Sequence, residues 1–64
     1  MDIGGKIKRY REDRQLTQTE LSKSIGISRS YLSDVENNRN NPSIRTVENI
    51  AKKLGMTLCE LLCK

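Results

Sequence analysis

Apolar residues recur along this chain at three- and four-residue spacing between short polar stretches, a pattern that predicts five helices. The first runs from Ile3 to Arg14, with Ile3, Ile7 and Tyr10 on one side and Lys6, Lys8 and Arg9 between them. The turn Asp13-Arg14-Gln15-Leu16 leads into Thr17-Gln18-Thr19-Glu20. That tetrapeptide has the form of a capping box, the Thr17 hydroxyl accepting from an amide one turn on while Glu20 reaches back. The second helix continues to about Ser24, with Leu21 and Ile25 facing inward. Gly26 then supplies the positive φ that a sharp helix stop requires. Ser28 caps a third helix carrying Tyr31, Leu32 and Val35. The polar run Asn37-Asn38-Arg39-Asn40-Asn41-Pro42 reads as a loop. Ser43 caps a fourth helix, in which Ile44, Val47, Ile50, Ala51 and Leu54 form one apolar stripe closed by Gly55. A second capping box, Thr57-Leu58-Cys59-Glu60, opens a short fifth helix with Leu58, Leu61 and Leu62. No linker, repeat or low-complexity stretch intervenes, so residues 1–64 read as a single all-α domain.

Size narrows what such a domain can do. A chain of 64 residues with no Phe or Trp and two Tyr must build its core from Ile, Leu and Val. Little room is left for an enclosed substrate pocket, and no His, paired carboxylates in a cleft or glycine-rich phosphate loop point to an enzyme. Twelve Lys and Arg against eight Asp and Glu give a net charge of +4, which suits a polyanionic partner such as nucleic acid or an anionic membrane surface. No apolar run is long enough to span a bilayer, and no signal-peptide core follows Met1. Cys59 and Cys63 lie four apart at one end and cannot staple distant segments, and without His or a second cysteine pair they lack partners for zinc. These features predict a reducing cytoplasm, no metal and no cofactor.

The two short helices joined through Ile25-Gly26-Ile27 form a helix-turn-helix pattern, in which the second helix enters the major groove of DNA. Around it stand Leu16-Thr17-Gln18-Thr19-Glu20-Leu21, then Ser28-Arg29-Ser30-Tyr31-Leu32-Ser33, Val35-Glu36-Asn37, Asn41-Pro42-Ser43 and Ile50-Ala51-Lys52-Lys53-Leu54-Gly55. From Ile3 to Leu62 the chain resembles the helix-turn-helix domains of the lambda-repressor and Cro type (xenobiotic-response-element-like regulators). The resemblance implies a compact five-helix DNA-binding domain whose third helix reads the duplex. Two positions depart from that pattern. Asn38 stands where Gly is usual, and Asn tolerates the left-handed backbone better than most residues. Ser22 replaces a frequent Ala and remains small enough for close helix packing.

Rotation by about 100° per residue places Leu32 and Val35 on the buried side of the third helix. Ser30, Ser33, Asp34 and Asn37 then point outward, with Ser28 and Arg29 at the N-terminal end that family members direct at base edges. Arg29 is the first candidate reader, since its guanidinium can donate twice to guanine O6 and N7; the other role open to it is a solvated or phosphate-bound arginine. Ser30 and Ser33 can touch several bases or simply avoid a clash. Asp34 can accept from cytosine N4, pair with Arg29 or another cation, or lie off the interface. Thr17 and Gln18 lie at the start of the second helix, where free amides favour a phosphate, and the resemblance gives Gln18 the role of a backbone clamp. It likewise implies a second backbone contact at Asn37, Arg39 and Asn40. Tyr31 has two open roles, its hydroxyl toward a phosphate or its ring beside the second helix. The resemblance also implies a structural ion pair between Arg11 and Glu36.

A single short reading helix covers few base pairs, so such domains usually dimerise on half-sites about one helical turn apart. The end of the fourth helix, the Gly55 turn and the fifth helix are the available interface, with the cysteines partly exposed beside it. The functional expectation is a sequence-specific double-stranded DNA-binding transcriptional regulator, a repressor, acting as a homodimer on a palindromic operator. A different class remains open: a protein-interaction module, antitoxin or antagonist, that reuses the fold. Length does not separate a complete minimal regulator from one domain of a longer protein.

Overall fold

A computed structural model describes residues 3–62 and contains α1 (Ile3–Asp13), α2 (Gln18–Ile25), α3 (Arg29–Glu36), α4 (Ile44–Lys53) and α5 (Leu58–Leu62). Cys63, expected beside the fifth helix, lies outside the described residues. The starts of α2 to α5 are made by the predicted caps. Thr17 Oγ1 accepts from the Glu20 amide at 3.1 Å while the Thr17 amide donates to Glu20 Oε1 at 2.9 Å. Ser28 and Ser43 accept from Tyr31 and Thr46 in the same way, and Thr57 and Glu60 form the second reciprocal box. Together these satisfy amides that have no intrahelical partner.

The helix ends share one device. The backbone turns left-handed at Gln15 (φ 57°), Gly26 (φ 77°), Asn38 (φ 59°) and Gly55 (φ 75°). The next amide in each case reaches back into the last turn: Leu16 to the Arg11 carbonyl at 3.1 Å, Ile27 to Ser22 at 3.0 Å, Arg39 to Asp34 at 2.8 Å and Met56 to Ala51 at 2.9 Å. This is the Schellman pattern. Two of the four stops use glycine, as the sequence signals; Gln15 and Asn38 reach the same conformation with a side chain.

Packing follows a closed circuit, α1 on α3, α3 on α2, α2 on α4, α4 on α5 and α5 back on α1. Its interior is aliphatic: Ile7, Leu21, Leu32, Val35, Val47, Ile50, Ala51, Leu54 and Leu61 are all buried. Leu58 and Leu62 are half-buried against this core, as are Ile25 and Tyr10. The α4 stripe is shorter than its spacing suggests. Val47, Ile50, Ala51 and Leu54 are buried, whereas Ile44 is 62% exposed. Ile44 opens the helix, and at that first turn the stripe runs past the edge of the core.

Burial on α1 falls at Gly4, Ile7 and Arg11, three residues on one helical face that meet α3 by different means. A Cβ built on Gly4 would come within 2.3 Å of the Val35 carbonyl oxygen and 2.7 Å of that of Glu36. Only glycine permits so close an approach of the start of α1 to the end of α3. The Gly4 amide donates to Asn38 Oδ1 at 3.1 Å, so the side chain that replaces the usual glycine caps the neighbouring helix. At the opposite end of α1, Arg14 donates through Nε to the Leu54 carbonyl, a terminal acceptor of α4, and lies 5.8 Å from the Tyr10 ring centroid.

Gln15 bears a left-handed backbone and an exposed side chain. Replacing it with Gly removes a steric penalty of roughly 1–2 kcal/mol, offset in part by the greater freedom of the unfolded glycine. Gln15→Gly is therefore expected to raise the melting temperature by a few degrees in a thermal unfolding scan followed by circular dichroism; an unchanged or lower value contradicts this account of the turn.

Candidate nucleic-acid interface

On α3, Leu32 and Val35 are fully buried and Glu36 nearly so, which turns the opposite side outward. Ser28, Arg29, Ser30 and Asn37 are exposed, and Ser33 and Asp34 are half-buried. Ser28 Oγ is engaged as the α3 N-cap, at 3.0 Å from the Tyr31 amide. Its hydroxyl proton is left as a donor. Arg29 forms no ion pair among the described residues, so the expected alternative of a pair with Asp34 is not realised. Tyr31 is half-buried and packs against the core. Thr17, Gln18, Thr19 and Arg29 line an open depression of about 520 Å³ together with Arg11, Glu12, Gln15 and Leu16. The candidate reader and the candidate clamp thus face one concavity at the start of α2, where helix-end amides and the dipole favour an anion.

Glu20 sits in that first turn of α2. Its hydrogen bonds from the Thr17 backbone amide and then from the Thr17 side chain hold its carboxyl below the ordinary glutamate range. The charge is thereby tied to the cap.

Beneath the depression lies the pair that the resemblance implied. Arg11 Nε donates to Glu36 Oε2 at 2.7 Å and Nη2 to Oε1 at 3.2 Å, with the two side chains 9% and 1% exposed. Arg11 Nη1 donates to the Leu16 carbonyl at 2.6 Å, bringing the α1–α2 turn into the network. Gln18 Nε2 donates to Glu36 Oε1 at 2.9 Å. This last bond has no signature in the sequence, because Gln18 and Glu36 are eighteen positions apart on different helices.

The second candidate anchor lies beyond α3. Asn37, Arg39 and Asn40 are exposed there, on a backbone held by the Asn38 turn. Asn37 Nδ2 donates to the Ser33 carbonyl at 2.8 Å and approaches Ser33 Oγ at 3.5 Å, so its side chain folds back along α3. Gly4 and Ser22 were not candidate site residues, yet both set helix positions. Ser22 is buried between helices with its hydroxyl donating to the Thr19 carbonyl at 3.1 Å. A glycine in the first turn of a helix, where its low propensity needs a packing reason, was the available signal for Gly4. Among the described residues no His, Cys, Asp and Glu cluster could hold a metal ion, and no helix is long and apolar enough to cross a membrane.

A helix-turn-helix family model matches residues 7–61, and the chain belongs to that family. It is 42% identical over 62 residues to the immunity repressor protein of Bacillus phage phi105, covering 97% of this chain and 43% of that protein. It is 38% identical over 61 residues to the HTH-type transcriptional regulator SinR of Bacillus subtilis, covering 94% and 55% of the two. A crystal structure of SinR, the master regulator for biofilm formation, in complex with DNA superposes with a TM-score of 0.88 at 37% identity, over 95% of this chain and 98% of that one. The chain spans about half the length of these two curated relatives. They are regulators, not enzymes.

The buried pair sets a measurable expectation. Glu36→Ala leaves the Arg11 guanidinium without its counter-charge and is expected to cost about 3–5 kcal/mol, enough to unfold much of so small a domain. Arg11→Met with Glu36→Leu removes both charges together and should recover most of that loss. Urea denaturation of the three proteins checks this; a Glu36→Ala midpoint equal to that of the native chain contradicts it.

Proposed function

We propose that this chain is a sequence-specific double-stranded DNA-binding domain of a transcriptional regulator, working in the cytoplasm and acting as a repressor. The observation that carries the reading is the outward polar side of α3, with unpaired Arg29 set beside Gln18 at the first turn of α2. Arg29 and Ser28, Ser30, Ser33 and Asp34 read base edges in the major groove, while Thr17, Gln18, Arg39, Asn40 and Asn37 hold the backbone. Family membership and the likeness to SinR bound to DNA support the same assignment. Tyr31 is an edge-of-core residue in this reading, with its hydroxyl as a further phosphate donor.

The domain works as a homodimer on a palindromic operator. Support comes from the cleft of about 250 Å³ between α4 and α5, where half-buried Met56 and Leu58 lie beside Ala51, with Glu48 and Lys52 along the rim. Apolar surface flanked by opposite charges on one helix suits a two-fold contact, in which Glu48 of each copy meets Lys52 of the other. Exposed Cys59 lies on the same short helix.

Selection of bound duplexes from a random pool tests the reading. Two inverted half-sites about one helical turn apart are expected, with affinity that falls steeply as salt rises. Arg29→Ala should relax preference at one base pair, at a cost of about 1–3 kcal/mol there, whereas Gln18→Ala should weaken all sequences alike. Binding to no duplex even at low salt overturns the assignment and favours a protein partner.

A further inference from the structure

We infer that Glu36 is a positioning residue for DNA binding: its buried carboxylate fixes the orientation in which Gln18 meets a backbone phosphate. The inference rests on the reading of Gln18 as an anchor. Glu36 is an obligate acceptor, and its Oε2 is engaged by Arg11 Nε while Oε1 takes both Arg11 Nη2 and Gln18 Nε2. The Gln18 amide therefore has one stable orientation, nitrogen inward, since the flipped amide would set its oxygen against a carboxylate oxygen. One hydrogen of Nε2 is committed to Glu36 and the other is directed away from it. The side chain is held along the depression as a preoriented donor, rather than swinging over the mouth of α2.

Charge also follows from this arrangement. Without Arg11, Glu36 would place a negative charge one hydrogen bond behind the phosphate site. Arg11 cancels it through two contacts and spends its third on the Leu16 carbonyl, at the turn that delivers the chain to Thr17. Because Glu36 stands on α3, the same carboxylate registers the reading helix against the backbone clamp on α2.

A double-mutant cycle on DNA affinity separates positioning from stability. The Arg11→Met, Glu36→Leu protein keeps an apolar core contact and removes the acceptor for Gln18; the Arg11→Gln, Glu36→Gln protein removes the charges but retains an acceptor. Each is combined with Gln18→Ala and titrated with the selected duplex at fixed salt, with the folded fraction verified by circular dichroism. In the native background Gln18→Ala is expected to weaken binding about tenfold. In the Met/Leu background binding is already weakened and Gln18→Ala adds little; in the Gln/Gln background most of the Gln18 contribution returns. An undiminished Gln18→Ala penalty in the Met/Leu protein overturns the inference. No penalty in the native background instead overturns the role of Gln18 as anchor, and the inference falls with it. If neither double variant folds, the side-chain amide protons of Gln18 in the native protein decide by nuclear magnetic resonance. One shifted, slowly exchanging proton supports positioning, and a pair at solvent values refutes it.

Discussion

A carboxylate buried inside a domain this small must be satisfied, and the way Glu36 is satisfied organises the helix-turn-helix. Its two oxygens take three hydrogen bonds, from an arginine on α1 and a glutamine on α2, while Glu36 itself ends α3. Three helices are thus referenced to one group about the size of a water cluster. Such a pair gains little net stability against its desolvation penalty, and an apolar replacement of equal volume can match it. What an apolar replacement lacks is direction. Hydrophobic packing tolerates sliding and rotation, whereas a guanidinium fork on a carboxylate defines both distance and angle.

The remaining architecture is economical in a different sense. Among the described residues, nine buried aliphatic side chains form the interior, and no aromatic ring is buried. Helices α2 to α5 begin at side-chain caps and α1 to α4 stop at Schellman turns, so most of these boundaries, the α1 stop at Gln15 excepted, are encoded within a few residues of themselves. Tertiary packing then has only to choose how preformed segments meet. Gly4 shows how closely: the first turn of α1 reaches the terminal carbonyls of α3 at a distance that excludes any side chain.

Much of this was legible in the sequence because its signals are local. Thr17 with Glu20, Thr57 with Glu60, Ser28, Ser43, Gly26 and Gly55 each mark an end through chemistry acting over three or four positions, and the ends fall where those residues stand. The outward side of α3 was also readable, since Leu32 and Val35 define its reverse. The illegible features are those decided across helices. Nothing near Gln15 indicates a left-handed turn, because the conformation is imposed by where α1 must hand over to α2. Ile44 matched the spacing of the α4 stripe, but a period tells which face is apolar and not how far the core extends along it. Gln18 looked like a solvent-facing clamp, and only the folded chain brings Glu36 within its reach.

The separation in sequence of the ties on α1 has a kinetic consequence. Helix caps close over a few residues, whereas Arg11 reaches Glu36 across 25 positions and Gly4 reaches Asn38 across 34. Closing these loops costs more chain entropy than closing a cap, so the ties are favoured only once the helices they join are in place. For a contact made after the folding barrier, weakening speeds unfolding and leaves folding nearly unchanged. In that order of events the network under α2 is a latch, closing on segments that have already formed.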